Sequence, residues 1–330
     1  MAEKREARQE VTPGTGAQAE ESLRKLPVAE IMRRACELRI AVPAFNVAYL
    51  PMVRPIVEAL EASNSFALVE VARPDIERFG AQSYQAVASE FERHADRAHA
   101  RLHQDHLPVI DEEQRRVEWR PLIEEALELG YDSVMIDGSR LPLAENIAVT
   151  KEVVAMAQPR AAVEAELGAV LGHEPGPLPP YEELFASGRG FTDVEEAARL
   201  VGETGVDWLS VAVGNVHGAI SGAAKDQLKV EARLSIEHLR RLSAKVSAPL
   251  VLHGGTGIRL SYVRRAIDNG IAKINVATGL RQPYEASLRE DGSTEAAQEA
   301  VARAVDQHLK DYRIVGSAGK LAARAPFQDR

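Results

Sequence analysis

The chain has 330 residues, 45% hydrophobic and 27% charged, enough for one large domain or two small ones with a substantial core. Its apolar runs fall far short of the about 18 residues a membrane-spanning helix needs, and a net charge of −9 argues against nucleic acid as the main partner. Cys36 is the one cysteine, which excludes an internal disulfide and a thiolate metal cluster, so any metal must be held by His, Asp or Glu.

Residues 1–22 mix Lys, Arg and Glu without an apolar signal core, and read as a solvated, loosely ordered extension rather than a targeting peptide. Residues 23–330 are expected to form one domain with a C-terminal helical tail, in a soluble cytoplasmic protein. Helical spacing runs from Pro27 to Leu38, and Ile40 to Val47 reads as a buried strand ending in polar character. A helix through Met52, Val53, Ile56, Val57 and Leu60 precedes an apolar strand, Phe66 to Val71. Ser83 to Arg97 is helical again, and Ala98 to Asp105 is a strand of unusual polarity. The helix from Glu118 to Leu129 is stopped by Gly130; a strand from Asp132 to Asp137 and a helix from Leu143 to Ala157 follow.

Ala161 to Leu167 is the next strand, and a loop rich in Gly and Pro extends from Gly168 to about Gly190. Thr192, with Glu195 three residues on, has the pattern of a capping box. Strands over Asp207–Val213, Ala248–His253 and Ala272–Val276 alternate with helices over Leu234–Leu242 and Leu260–Ile267, and a closing helix covers Thr294–Leu309. Short, nearly continuous apolar strands of this kind require a parallel sheet covered on both faces. Eight such units in about 290 residues fit a closed (β/α)8 TIM barrel, with an open doubly wound sheet as the alternative.

In such a barrel the chemistry lies at the C-terminal ends of the strands. Asn46, Glu70, Asp105, His106, Asp137, Glu166, His217, His253 and Asn275 all fall there. Three of them are histidines (His106, His217 and His253), and three converging imidazoles with an open fourth position would make a catalytic Zn²⁺ site. The alternative is three unrelated histidines, in a chain that has nine. His103, two residues before Asp105, faces away from the site or supports it from behind. The turn His253-Gly254-Gly255-Thr256-Gly257 closes a strand and opens a helix, an arrangement that offers bare N–H groups to an anion.

Taken together these motifs resemble the class II, metal-dependent fructose-bisphosphate aldolases, especially the shorter branch that includes tagatose-bisphosphate aldolases. The likeness runs from Val42 to Lys320 and is carried by Ala44–Val47, His103–His106, Val134–Ser139, Glu164–Gly168, Gly214–Ala219, Leu250–Gly257, Ala272–Val276 and Gly316–Lys320. It implies that His106, His217 and His253 ligate Zn²⁺, with Asp137 and Glu166 as nearby carboxylates that hold an alternative or second divalent position. It also implies Asp105 as the acid/base at the hydroxyl of the cleaved bond, and Glu174, on a mobile loop, as the residue that moves the carbon-bound proton. Gly218, Gly254, Gly255, Thr256, Asn275 and Thr278 match the phosphate cradle, part of which binds a monovalent cation, and Asn46 faces the substrate.

The activity implied is reversible cleavage of a ketose phosphate or bisphosphate, such as fructose 1,6-bisphosphate, into dihydroxyacetone phosphate and an aldehyde. The metal there stabilises the enediolate as a Lewis acid. Family habit adds a homo-oligomer, dimer or tetramer. Four departures fall on substrate recognition. Glu70 and Ala72 replace glutamine and a phosphate-contacting serine, and Ala277 replaces a substrate-contacting aspartate. About ten extra residues, Pro108 to Glu118, stand where the family keeps a short glycine-led turn, and the segment after Arg281 lacks the arginine that holds a distal phosphate. Arg281 and Arg289 are the candidate substitutes. The rival readings are a non-catalytic homologue, a metal hydrolase on the same barrel and, through Lys273, a covalent lysine aldolase; a structural or solvent-side role is the alternative for that lysine.

Overall fold

The computed structural model describes residues 16–170, 181–216 and 232–323. Among them eight strands form a closed parallel barrel in sequential order: β1 (Val42–Asn46), β2 (Ala67–Ala72), β3 (Ala100–Asp105), β4 (Ser133–Ile136), β5 (Ala162–Leu167), β6 (Trp208–Val211), β7 (Leu250–Leu252) and β8 (Ile271–Val276). Each expected strand is present with its ends within two residues of those expected, and the barrel is closed by β1 against β8 through Val42↔Lys273 and Ala44↔Asn275. The open-sheet alternative is thereby set aside.

All strand residues are buried, and alternation sorts them into two layers. Outward-facing Phe45, Val69, Leu102, Val163, Ala165 and Ile274 pack beneath the surrounding helices. Inside, the N-terminal half of the barrel is apolar, with Val42, Ala44, Leu68, Ala162, Trp208 and Val251 packed on Leu23, Val28, Ile31 and Met32. Helices Gly16–Lys25, Val28–Leu38 and Ser317–Ala322 cover that end, and Arg101 points into it, donating to the carbonyls of Leu23 and Arg24 at 2.9 and 3.1 Å. Helical structure thus begins at Gly16, inside the stretch expected to be loosely ordered, because Leu23 finds a wholly buried seat. The other half of the interior is polar, and it opens at the C-terminal mouth.

Three local features of the helices have physical causes, and the first corrects the expected cap. The helix over Val194–Thr204 is capped by Asp193, whose carboxylate accepts from the N–H groups of Glu195 and Glu196. Thr192 is not the cap, since its hydroxyl is committed to the Leu167 carbonyl and the Ala212 N–H. The helix Thr278–Asp291 contains Pro283, which argues against a helix by itself, yet buried Leu280 and Tyr284 and packing on Thr294–Asp311 override it. Arg73–Arg78 is a short helix whose Asp75 side chain accepts from the Ala72 N–H at 2.9 Å.

Gly138 sits directly against buried Asn146, and a Cβ there would overlap the Asn146 amide. That amide donates to the Glu166 carbonyl at 3.0 Å and so holds the end of β5. Gly138→Ala is therefore expected to destabilise the fold by about 1–3 kcal/mol in denaturant unfolding, as overpacking does. An unchanged midpoint would show that Asn146 moves aside freely.

Candidate metal centre and active site

At the mouth of the barrel, strand ends deliver a polar cluster with almost no exposure. By alternation Asp105 points inward and His106 should point out. His106 instead adopts a left-handed φ of +43°, rare for a residue with a Cβ, and this turn keeps both side chains at the mouth. The His106 and His253 rings lie 5.9 Å apart, and His106, His253 and Glu166 each present a donor atom within 4.8 Å of the others. His253 Nδ1 is 3.6 Å from Glu166 Oε2, and His106 Nδ1 is 4.0 Å from Asp137 Oδ2.

Burial, reinforced by the Asp137 charge, pushes the Glu166 carboxyl up to about 8. Burial would lower His253, but the Glu164 hydrogen bond and the charges of Glu166 and Asp105 outweigh it and raise the imidazole to about 9. Two imidazoles beside two carboxylates in a desolvated pocket is a donor set suited to a divalent cation, which would relieve the like-charge contact of Glu166 with Asp137.

Asp105 lies next to this cluster. Asn275 donates to its Oδ1 at 2.8 Å and Asn46 to its Oδ2 at 3.3 Å. Burial opposes ionisation, yet Lys273 and the histidines hold the Asp105 carboxyl below its ordinary range. Lys273 is wholly buried inside the barrel, 2.8 Å from Glu164 Oε2, 3.3 Å from Glu70 Oε2 and 3.9 Å from Asp105 Oδ1. This excludes a solvent-side place for that lysine and leaves it tied in ion pairs. Glu164, which also accepts from the Trp208 indole and stands 2.8 Å from His253 Nε2, was not among the residues singled out from the sequence. Alternation along Ala162, Glu164 and Glu166 was the available signal, since all three must share one face. His103 faces inward as well, with Nδ1 2.8 Å from Ser133 Oγ; burial and Lys273 lower it to about 3, so the ring is neutral.

The glycine turns are nearby. Gly255 gives its N–H to the Asn275 carbonyl at 3.1 Å, so that donor is already used, and a Cβ there would lie 2.6 Å from the Ile274 side chain. Thr256 Oγ1 accepts from the Gly279 N–H at 3.1 Å, which ties the turn after β7 to the start of the helix that begins at Thr278. Gly254 has a φ of +67°. Arg281 is buried, bonded to Glu285 at 2.8 Å and stacked on Phe79, whereas Arg289 is an exposed helix-surface residue. His217, Gly218 and Glu174 lie outside the described residues.

The pattern of the family described as fructose-bisphosphate aldolase class-II matches residues 27–320. The 6-phospho-5-dehydro-2-deoxy-D-gluconate aldolase of Halalkalibacterium halodurans is 33% identical over 295 residues, covering 88% of this chain and 89% of that protein. The protein of the same name from Bacillus licheniformis is 35% identical over 252 residues, 76% of this chain and 77% of its own. The crystal structure of the YdjI aldolase from Escherichia coli K12 superposes with a TM-score of 0.69 at 26% identity, covering 89% of this chain and 99% of that one.

The buried charges give two predictions. Burial and the Asp105 charge raise Glu70 well above the ordinary carboxylate range despite Lys273, so Glu70→Gln should alter unfolding free energy by less than about 1 kcal/mol. Lys273→Met leaves Glu164 and Asp105 uncompensated and should cost about 3–5 kcal/mol. Reversal of that order in denaturant titrations would mean that Glu70 is the ionised partner. Asp75 is pushed up to about 7 by burial, against bonds from Ala72 and Asn46. The folded chain then holds a proton that the unfolded chain releases near pH 4, so this contribution to stability is full below about pH 4 and is lost as pH rises through about 7. Asp75→Asn should flatten that part of the stability–pH curve relative to the parent protein; parallel curves would place the proton elsewhere.

Proposed function

Because the chain belongs to the class II fructose-bisphosphate aldolase family, a family of sugar-phosphate aldolases, we propose that it is a zinc-dependent enzyme that cleaves a phosphorylated keto-sugar acid of the 6-phospho-5-dehydro-2-deoxy-D-gluconate type. The observation that carries this reading is the meeting of His106, His253 and Glu166 beside an ionised Asp105. His106 and His253 would hold the ion, joined by His217, with Glu166 and Asp137 at its edge. When bound, the ion supplies Lewis-acid stabilisation of charge at the substrate's ketone.

Everything else falls to the chain's own side chains. Asn46 and Asn275 fix the two oxygens of Asp105, and Lys273 favours its charged form, the one able to take a proton. In cleavage Asp105 removes the proton of the hydroxyl two carbons from the ketone. That oxygen becomes the carbonyl of the departing aldehyde, and the C–C bonding pair passes to the three-carbon phosphate fragment. Glu174 then delivers a proton to the fragment's carbon, giving dihydroxyacetone phosphate and a three-carbon aldehyde acid. Gly218, Gly254 and Thr256, with Thr278, anchor the phosphate near the ketone.

The far end of the substrate supports a carboxylate over a second phosphate. Ala72 and Ala277 bring no polar side chain, Arg281 is engaged with Glu285, and Arg289 lies on the helix surface. The two relatives whose names specify a gluconate are 33% and 35% identical. Fructose 1,6-bisphosphate is the comparison substrate.

Coupled detection of dihydroxyacetone phosphate should show the keto-deoxygluconate phosphate turned over with a kcat/KM at least about tenfold above that of fructose 1,6-bisphosphate. Activity should vanish after EDTA treatment and return with Zn²⁺. Asp105→Asn should lower kcat about 10²–10⁴-fold while zinc content stays unchanged. Activity that survives chelation, or a zinc-loaded protein that releases no triose phosphate from any ketose phosphate, would overturn the reading.

A further inference from the structure

The segment following His106 is the longest departure from the family pattern, and it folds into an ordered hairpin over the metal centre. Leu107 and Val109 extend the line of β3, exchanging hydrogen bonds with Asp137: Asp137 N–H to the Leu107 carbonyl at 2.8 Å and Val109 N–H to the Asp137 carbonyl at 2.9 Å. The chain then reverses, pairing Ile110 with Arg116 and returning the Val117 N–H to the Val109 carbonyl. Leu107, Val109 and Val117 are buried, and the turn is pinned by Asp111 to Arg115 at 2.9 Å and by Arg78 to Glu113 at 3.2 Å.

Of the three consecutive acids at the tip, Asp111 and Glu113 are matched with arginines. Glu112, buried like Asp111 and 6% exposed, places Oε1 3.9 Å from His106 Nε2.

The surroundings of the two imidazoles can be compared directly. His253 directs Nδ1 toward Glu166 at 3.6 Å and has Glu164 behind Nε2 at 2.8 Å. His106 has a looser version of this arrangement, outside hydrogen-bond distance, with Nδ1 toward Asp137 at 4.0 Å and Glu112 on the Nε2 side at 3.9 Å. Both rings thus offer Nδ1 to one shared acidic space and back Nε2 with a carboxylate. A carboxylate behind a ligating imidazole holds the proton on the outer nitrogen, fixes the ring and increases the basicity of the inner nitrogen.

We propose that Glu112, supplied by the inserted hairpin, is a positioning residue that orients His106 for metal binding, as Glu164 does for His253. The inference rests on the metal centre proposed above. The hairpin therefore does more than cover a strand end: it completes the centre with a carboxylate that a short glycine-led turn could not deliver.

The test is zinc affinity of the full chain, measured by competition with a chromophoric chelator, together with the visible spectrum of the Co²⁺-loaded protein. Glu112→Ala should weaken zinc about 10–100-fold and alter the Co²⁺ spectrum, with thermal unfolding of the metal-free form unchanged. Glu112→Gln, whose amide oxygen can accept from Nε2–H once the metal draws the ring into place, should recover most of the affinity. Glu113→Ala, on the same hairpin but facing outward, should bind as the parent protein does. Parent-like affinity in Glu112→Ala, or an equal loss in Glu113→Ala, would overturn the role of Glu112 and leave the metal centre standing. A parent protein that binds no divalent ion would remove both.

Discussion

The ion pair of Lys273 with Glu164, closed at 2.8 Å inside the barrel and wholly out of water, is the constraint on which the site depends. It joins β8 to β5 across the interior. Removing either partner leaves a bare charge where solvent cannot reach it, so the pair fixes rather than merely decorates the arrangement. Glu164 passes the constraint to His253, and Lys273 passes it to Asp105. One buried cation thus orients a candidate metal ligand and favours the charged form of the neighbouring Asp105, the proposed acid/base. The same cation makes a covalent lysine mechanism unattractive, because its nitrogen is held among carboxylates and its affinity for a proton is raised.

The barrel interior is accordingly divided. Its N-terminal half is filled by apolar side chains and covered by helices from both ends of the chain, and that half provides the rigidity. Its C-terminal half carries charge and opens toward the mouth. Groups placed on strand ends inherit the precision of the sheet beneath them, and the Asn146 amide, seated against Gly138, holds the Glu166 carbonyl at the end of β5.

The eight strands were legible because parallel barrel strands are apolar on both faces and short, and the alternation of polar residues in β3, β5 and β8 marks the interior. Asp105, His106, His253, Glu166 and Asn275 could be placed at the mouth from strand ends alone. Other features could not. The left-handed turn at His106 reverses the side that alternation assigns it, and a register shift between Leu250 and Val251 changes what faces Lys273. Pro283 hides a helix that tertiary packing sustains. The reach of Glu112 depends on a hairpin whose pairing no periodicity reveals. Contacts among residues distant in sequence, such as Lys273 with Glu70, follow from barrel closure and not from any local pattern.

The account stands or falls on where a metal sits. A crystal of the protein grown with Zn²⁺, with anomalous diffraction recorded on both sides of the zinc edge, reads this directly. One strong anomalous peak is expected between the His106 and His253 rings, about 2.0–2.1 Å from a nitrogen of each. A peak bound elsewhere, with those two rings still directed at the neighbouring carboxylates, would contradict it.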